Sequence, residues 1–318
     1  MLNADRMTTA TADRAERHEV LEGLRAEWKT LPPKLFYDKR GADLFEKICE
    51  LPEYYLTRSE LEILRSHAAD IASLAGARCA VIEYGSGAGL KVRLLLDALE
   101  SPVAYVPVDI SRSQLVEVAA GMKVDYPRLA VTPVCADYTS RFDLPDILPR
   151  EIKRLAFFPG STIGNFHPQE AAEFLKHIRE LVGGDGAMVL GVDRRKSTAV
   201  LDAAYNDSLG ITAEFNLNIL SRLNEDLRAE FDLDSFEHLA FFNEEASRVE
   251  MHLRSKREQT VCVAGEAIHF EKNETIWTES SYKYSRDALD TLLDASGFRA
   301  ERLWTDSEQR FWVAYLTS

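Results

Sequence analysis

The sequence predicts an α/β fold, a doubly wound, Rossmann-like parallel sheet with a second α+β domain inserted into it. Three observations carry that reading. Apolar runs of strand length alternate with helical spacings from about residue 79 to residue 192. The run Val81-Ile82-Glu83-Tyr84 passes straight into Gly85-Ser86-Gly87-Ala88-Gly89, a strand entering a tight turn before a helix. The alternation then stops near residue 197 and resumes only at Arg286.

The elements follow in order. Residues 1–17 are polar and mixed in charge and read as a disordered tail. His18 to Thr30 places Val20, Leu21, Leu24 and Trp28 at helical spacing, and Pro32 and Pro33 end it. A short helix through Phe45 and Ile48 comes next. Leu51 to Arg58 reads as a loop, followed by a helix from about Ser59 to Ser73, with Thr57 or Ser59 as cap and Glu60 or Glu62 in its first turn. Strands are expected at Cys79–Tyr84, Val103–Val108, Ala130–Cys135, Arg154–Phe158 and Ala187–Val192. Helices between them cover Leu90–Glu100, Arg112–Tyr126 and His167–Val182, the last with Pro168 in its first turn. Lys196 to Ser280 reads as two or three helices and then β-like segments at Arg248–Leu253 and Gln259–His269. A helix at Arg286–Ala295 and two aromatic-rich strands, Arg299–Thr305 and Arg310–Leu316, finish the chain. The expected division is residues 60–196 plus 286–318 as the sheet domain and 18–59 plus 197–285 as a lid.

Composition narrows the function. The chain has 318 residues, 46% of them hydrophobic and 28% charged, which suits a soluble globular protein. A net charge of −14 without a basic, aromatic-interleaved cluster argues against nucleic acid as a partner. Cys49, Cys79, Cys135 and Cys262 form no C-x-x-C pair and do not meet the histidines at zinc spacing, so no metal is expected. No membrane-length apolar run or signal-type apolar core is present, so a cytoplasmic location and a monomer are expected.

The glycine turn points to chemistry. Its spacing is G-x-G-x-G rather than the dinucleotide G-x-G-x-x-G, with an acid two residues ahead, which favours a nucleoside cofactor without a pyrophosphate. S-adenosylmethionine leads that class. In an open α/β sheet the ligand lies at the carboxyl ends of the strands. Asp109 ends the second strand, where an acid accepts from ribose hydroxyls. Asp137 and Tyr138 end the third and suit an adenine amino group and ring face, and Lys91, just past the glycines, reads either as a solvated helix residue or as a partner of the cofactor carboxylate. Each Asp has as its commoner role a strand-end turn residue or helix cap; informative residues at three consecutive strand ends, the glycine turn, Asp109 and Asp137, favour the cofactor.

Five stretches together resemble one family, the S-adenosylmethionine-dependent histidine Nα-methyltransferases that make hercynine in ergothioneine biosynthesis. They are Phe36-Tyr37-Asp38…Gly41, Leu51-Pro52-Glu53-Tyr54-Tyr55, Glu83-x-Gly85-Ser86-Gly87, Phe158-Pro159-Gly160-Ser161-Thr162-Ile163-Gly164-Asn165-Phe166, and Thr278-Glu279-x-Ser281-x-Lys283-Tyr284. The resemblance implies a methyltransferase sheet closed by the final hairpin, with L-histidine as substrate. It implies that Asn165 and Tyr205 hold the substrate carboxylate with Tyr55 nearby, and that the Gly160 carbonyl faces the α-amino group. Glu279 and Ser281 would bond the imidazole and Met251 would pack on it. Tyr37, Gly85, Ser86, Gly87, Lys91, Asp109, Asp137 and Tyr138 would serve the cofactor. Tyr138 stands where another aromatic is usual. Other readings stay open on the residues alone: an NAD-dependent oxidoreductase, a non-catalytic sensor of histidine or cofactor, or a methyltransferase for another aromatic amino acid such as tryptophan.

Overall fold

The computed structural model describes residues 2–87, 89–138, 148 and 152–318. Along the chain run α1 (Leu2–Arg25), β1 (Lys29–Thr30), α2 (Lys39–Glu50), α3 (Tyr55–Ala75), β2 (Ala80–Tyr84) and α4 (Leu90–Ala98). Then come β3 (Ala104–Asp109), α5 (Arg112–Asp125), β4 (Ala130–Val131), β5 (Val134–Cys135), β6 (Arg154–Phe158), α6 (Pro168–Val182) and β7 (Ala187–Asp193). After these are α7 (Thr198–Tyr205), α8 (Ile211–Asp226), β8 (Phe236–Asn243), β9 (Arg248–Ser255), β10 (Gln259–Val263), β11 (Glu266–Phe270) and β12 (Thr275–Tyr282). The chain ends with α9 (Arg286–Ser296), β13 (Arg299–Thr305) and β14 (Phe311–Thr317). It divides into two compact units, Met1–Tyr54 with Ser197–Ser280 and Tyr55–Lys196 with Ser281–Ser318.

The sheet unit has eight strands in the order β13-β14-β7-β6-β2-β3-β4, with β5 also on β3. Pairs β2–β3, β2–β6, β6–β7 and β3–β4 are parallel, whereas β14 runs antiparallel to β7 and pairs with β13 as a closing hairpin. This is the doubly wound sheet expected. Its strands read as near-continuous apolar runs because helices cover both faces of a parallel sheet. Alternate residues of the central strands (Ile82 and Tyr84, Val106 and Val108, Ala156 and Phe158, Leu190 and Val192) join Phe174, Leu175 and Ile178 of α6 and Leu289, Leu292 and Leu293 of α9 in one core. The expected strand Ala130–Cys135 is broken into β4 and β5, because Pro133 between them has no N–H for the ladder.

The other unit carries a four-stranded sheet, β1-β12-β9-β8, and a separate β10–β11 hairpin. Phe215 of α8 stacks on Phe36 at 4.6 Å. Three local expectations fail here and at the start of the sheet unit. The stretch read as a tail is helical through Arg25: residues 2–17 contain no glycine or proline and are rich in helix formers, and Arg17 anchors the helix by donating to the Ala264 carbonyl. The helix does not continue to Thr30, because the chain folds back onto Gly23, where an added Cβ would meet the Thr30 carbonyl at 2.5 Å. Lys29 and Thr30 pair with Ile276 and Trp277 instead. Finally, Tyr55 to Arg58 is the first turn of α3 rather than loop, so Thr57 and Ser59 lie inside the helix and cap nothing. Ser59 is buried and donates to Asp306 at 3.1 Å.

Candidate functional site

In the sheet unit, β2 ends at Tyr84 and the backbone turns through three left-handed glycines, Gly85 at φ +73°, Gly87 at +44° and Gly89 at +69°. A side chain at these angles is strained, which is why the turn is glycine. The Gly85 N–H donates to the Val108 carbonyl at 2.9 Å, tying the turn to β3. Tyr138 faces it, and a Cβ added at Gly85 would lie 3.5 Å from its hydroxyl. Burial, followed by the charges of Asp109 and Asp137, pushes the Tyr138 hydroxyl well above its ordinary pKa. Asp109, Asp137 and Tyr138 therefore converge beside the turn. Asp109 Oδ1 also accepts the Ser111 N–H at 3.0 Å. Ser86 is buried, and among the described residues its Oγ has no hydrogen-bond partner. A buried hydroxyl without a partner is costly, and a ligand with donors and acceptors at the turn would satisfy it. The turn, the strand-end acids and the orphan hydroxyl thus fit an adenosyl amino-acid cofactor.

Glu83, one strand position before Tyr84, is buried and accepts from Tyr105 at 2.5 Å. Burial lifts its carboxyl to about 8, against the opposing pull of Tyr105 and Lys91.

The Pro159–Phe166 run leaves the end of β6. Gly160 at φ +80° and Ser161 at φ +57° are both left-handed, and a short 3-10 turn covers Thr162–Asn165. Thr162 donates to the Pro159 carbonyl at 3.0 Å and the Gly164 N–H to the Ser161 carbonyl at 2.8 Å. The half-buried Asn165 ends that turn. At Gly164 a Cβ would come within 2.8 Å of the Tyr282 carbonyl, so the end of β12 packs directly on this motif. The Gly160 N–H points at Glu60 of α3, donating to its two carboxylate oxygens at 3.0 and 2.9 Å, and Lys91 Nζ lies 2.6 Å from the same carboxylate.

A second charged cluster is buried at the end of β7. Asp193 is fully buried and meets two lysines, Lys196 at 2.6 Å through Oδ1 and the fully buried Lys283 at 2.8 Å through Oδ2. The Tyr55 hydroxyl donates to Asp193 Oδ2 at 2.7 Å and accepts from Lys196 at 2.6 Å. Lys196 also donates to the Arg194 carbonyl at 2.5 Å, so its three N–H groups all have partners. Lys283 donates to Ser281 Oγ at 2.9 Å, and the Asp193 N–H donates to Ser161 Oγ at 2.8 Å. Burial alone would raise Asp193, but Lys283 and then Lys196 overcome it and hold the carboxyl below its usual value. Burial lowers Lys196 to about 8 despite Asp193. The cluster thus ties Tyr55 to the Asp193 carboxylate directly and Ser281 to it through Lys283, while Ser161 holds the Asp193 backbone.

In the other unit, Tyr37 lies edge-on to Phe45 and Phe215, with centroids 6.0 and 6.1 Å away. Tyr205 is the last residue of α7 and lies 6.4 Å from the ring of Tyr54. Burial pushes the Tyr54 hydroxyl far up, and Tyr205, Cys49, Glu279 and Tyr37 add to it, which gathers those groups around one ring. His238 Nε2 donates to the Tyr205 carbonyl at 2.8 Å while Nδ1 accepts from Asn216 at 2.9 Å. Burial lowers the His238 pKa, in keeping with this neutral tautomer. Asn216 Oδ1 accepts from Thr278, whose hydroxyl also reaches the Met251 carbonyl at 3.0 Å. Met251 is buried in β9, and Glu279 is half-buried in β12, its carbonyl accepting from Trp277 Nε1 at 2.9 Å.

The family model described as "Histidine-specific methyltransferase, SAM-dependent" matches residues 16–318. The chain belongs to this family. It is 39% identical over 308 residues to a histidine N-alpha-methyltransferase of Mycolicibacterium smegmatis, covering 95% of each protein. Over 302 residues it is 40% identical to the histidine N-alpha-methyltransferase of Mycobacterium tuberculosis, covering 93% of each. It also matches ergothioneine biosynthesis protein 1 of Neurospora crassa at 33% identity over 286 residues, which is 87% of this chain and 32% of that longer protein. S-adenosylmethionine is therefore the methyl donor of this methyltransferase.

Of the site residues expected from sequence, Tyr55, Gly160, Asn165, Ser281, Gly85, Ser86, Gly87, Lys91, Asp109, Asp137 and Tyr138 belong to the sheet unit. Tyr37, Tyr205, Met251 and Glu279 belong to the other. Sequence reasoning missed Glu60, Asp193, Lys196 and Tyr54. Glu60 had a signal: it falls on the helical stripe of Leu56, Ile63 and Leu64, where a charge is out of place. Asp193 had a weaker one, as a further acid ending a strand. Among the described residues no group of acidic, histidine or cysteine side chains could hold a metal, and no helix is long and apolar enough to cross a membrane.

Proposed function

We propose that this methyltransferase transfers three methyl groups in succession from S-adenosylmethionine to the α-amino group of L-histidine, giving hercynine, a step that begins ergothioneine biosynthesis. The family match across residues 16–318 is the observation that carries this reading. The cofactor supplies a sulfonium methyl, already bound to an excellent leaving group. The protein's part is to hold a neutral amine in line with it, and such alignment can be worth roughly 7 kcal/mol or more.

The residues divide that work. In the sheet unit, the orphan Ser86 hydroxyl and the left-handed glycines receive the cofactor, Asp109 its ribose, and Asp137 and Tyr138 its base. Asn165 takes the histidine carboxylate, and the Gly160 carbonyl accepts from the amine. Tyr55 commits its hydroxyl hydrogen to Asp193, so it serves the pocket as a ring and an acceptor. In the other unit, Tyr205 is assigned to the carboxylate, Met251 and Glu279 to the imidazole, and Tyr37 to the cofactor. Ser281, in the sheet unit, accepts from Lys283 and is assigned to the imidazole nitrogen that accepts, and Glu279 to the ring N–H. A site that reads both ring nitrogens rejects side chains lacking them, because its buried polar groups would stay unpaired.

Mass spectrometry of the purified protein with S-adenosylmethionine and each common amino acid tests this. Trimethylated histidine as the only product is expected. Product from tryptophan or tyrosine alone would move the substrate, and monomethylhistidine persisting at long times would overturn the three-step transfer.

A further inference from the structure

Glu60 is an unexpected group to find inside α3. It is 1% exposed, on a helix face otherwise made of Leu56, Ile63 and Leu64. A buried carboxylate is costly unless it is paired and hydrogen-bonded. This one has two partners from two other segments. The Gly160 N–H reaches its oxygens at 3.0 and 2.9 Å, and Lys91 Nζ, from the first turn of α4, lies 2.6 Å away. The neighbouring strand makes room for the arrangement. At Gly191 of β7 an added Cβ would collide with Glu60 Oε1 and approach the Gly160 nitrogen at 3.2 Å.

The geometry has two consequences. Aiming the Gly160 N–H at Glu60 sets the plane of the Pro159–Gly160 peptide, and with φ at +80° it places the carbonyl carbon of Gly160, from which the next carbonyl is presented. Holding Lys91 by one of its three N–H donors fixes where the remaining two are presented. Neutralised by Glu60, Lys91 acts on a ligand as an oriented donor more than as a free charge. A Cβ on Gly160 would lie 3.5 Å from Lys91 Nζ, so the two groups governed by Glu60 are themselves neighbours.

We infer that Glu60 is a positioning residue for methyl transfer: through Lys91 and the Gly160 peptide it keeps the cofactor's amino-acid end and the acceptor amine in register. The inference rests on the roles given to Lys91 and Gly160 under the proposed function. Glu60 itself touches neither ligand.

Glu60→Gln, Glu60→Asp, Lys91→Met and the double variant Lys91→Met/Glu60→Gln test it, by calorimetric S-adenosylmethionine affinity, kcat and KM for histidine, and melting temperature. Glutamine is isosteric and still accepts from Gly160, but it turns an amide N–H₂ toward Lys91. Aspartate keeps the charge but is one methylene too short to serve both partners. Each is expected to lower kcat about ten- to a hundred-fold, the scale of a small misalignment of reacting groups, with a smaller change in histidine KM. Because Glu60 acts on the cofactor through Lys91, the double variant should bind S-adenosylmethionine no more weakly than Lys91→Met. It should also melt higher than Lys91→Met, which leaves a buried carboxylate without its cation. Wild-type kcat and cofactor affinity in Glu60→Gln and Glu60→Asp would overturn the inference, as would fully additive losses in the double variant. If the parent protein methylates no histidine, the functional reading fails, while the affinity and melting arms still judge the Glu60–Lys91 link.

Discussion

Asp193 offers the sharpest test of the energetics, because one carboxylate there serves two buried ammonium groups. Replacing it with asparagine leaves Lys283 and Lys196 facing a neutral amide, whose one oxygen can no longer serve Lys196 on one side and Lys283 and the Tyr55 hydroxyl on the other. Breaking a buried pair by removing one partner costs about 3–5 kcal/mol. Each lysine limits its own penalty by shedding its proton. At roughly 1.36 kcal/mol per pH unit below an ordinary pKa near 10.4, a lysine at pH 7 loses at most about 4.6 kcal/mol that way. Lys196 already sits at about 8, so little of its ceiling is left and Lys283 carries most of the loss. Replacing Lys283 with methionine has the opposite character. It leaves one acid facing one base, with Tyr55 bonded to both, and puts an apolar chain of similar length in the vacated volume. The cost there is about 1.5–3 kcal/mol, the worth of a lost charged hydrogen bond. Asp193→Asn should therefore destabilise about twice as much as Lys283→Met or more. The measurement is urea unfolding of both variants beside the parent at pH 7, reading the midpoint shift at constant slope. A Lys283→Met variant as unstable as Asp193→Asn, or more so, would refute the view that the carboxylate holds the cluster together.

The remaining predictions follow from charge and contact. Lys196 has a folded pKa of about 8, below its unfolded value, so its contribution to stability is present above about pH 10.5 and is lost as pH falls through 8. Melting temperature measured from pH 7.5 to 10.5 should lose a rising component in Lys196→Met, and an unchanged pH slope would count against the assignment. Glu83 has the reverse sign. Its folded pKa of about 8 lies above the unfolded value, so stability from its protonated form is full below about pH 4.5 and falls as pH rises to 8. Glu83→Gln should thus be nearly neutral at pH 5 and stabilising at pH 8.5; equal effects at the two values would show that the carboxyl titrates normally. Glu279→Ala removes the group assigned to the imidazole N–H, a charged hydrogen bond worth about 1.5–3 kcal/mol. Histidine KM should rise roughly ten- to a hundred-fold with S-adenosylmethionine affinity unchanged, and an unchanged KM would remove Glu279 from the pocket.

Much of the sheet unit was readable because its signals are local. A parallel strand buried on both faces must be a short apolar run, and a backbone that turns through positive φ must use glycine, so β2, β3, β6, β7 and the Gly85–Gly89 turn announce themselves. The first turn of α3 did not, because Tyr55-Leu56-Thr57-Arg58 follows Pro52 in a motif rich in aromatics, and its helical state depends on burying Tyr55 and Leu56. The split of β4 from β5 is legible in Pro133, which has no N–H for the ladder. β1 is two residues long and exists only through its pairing with Ile276 and Trp277, so no local pattern could show it.

By itself the sequence determined the fold class, the cofactor turn with its strand-end acids, and, through five motifs spread from residue 36 to residue 284, the family. These depend on residue type and on short spacings, which the chain carries before it folds. Only the tertiary structure decided which charges are buried and with whom. Glu60 and Gly160 are a hundred residues apart, Tyr55 and Asp193 farther still, and Asp193 and Lys283 come from opposite ends of an inserted unit. A carboxylate's role follows from what desolvates and pairs it, and those partners become neighbours only when distant strands and helices pack.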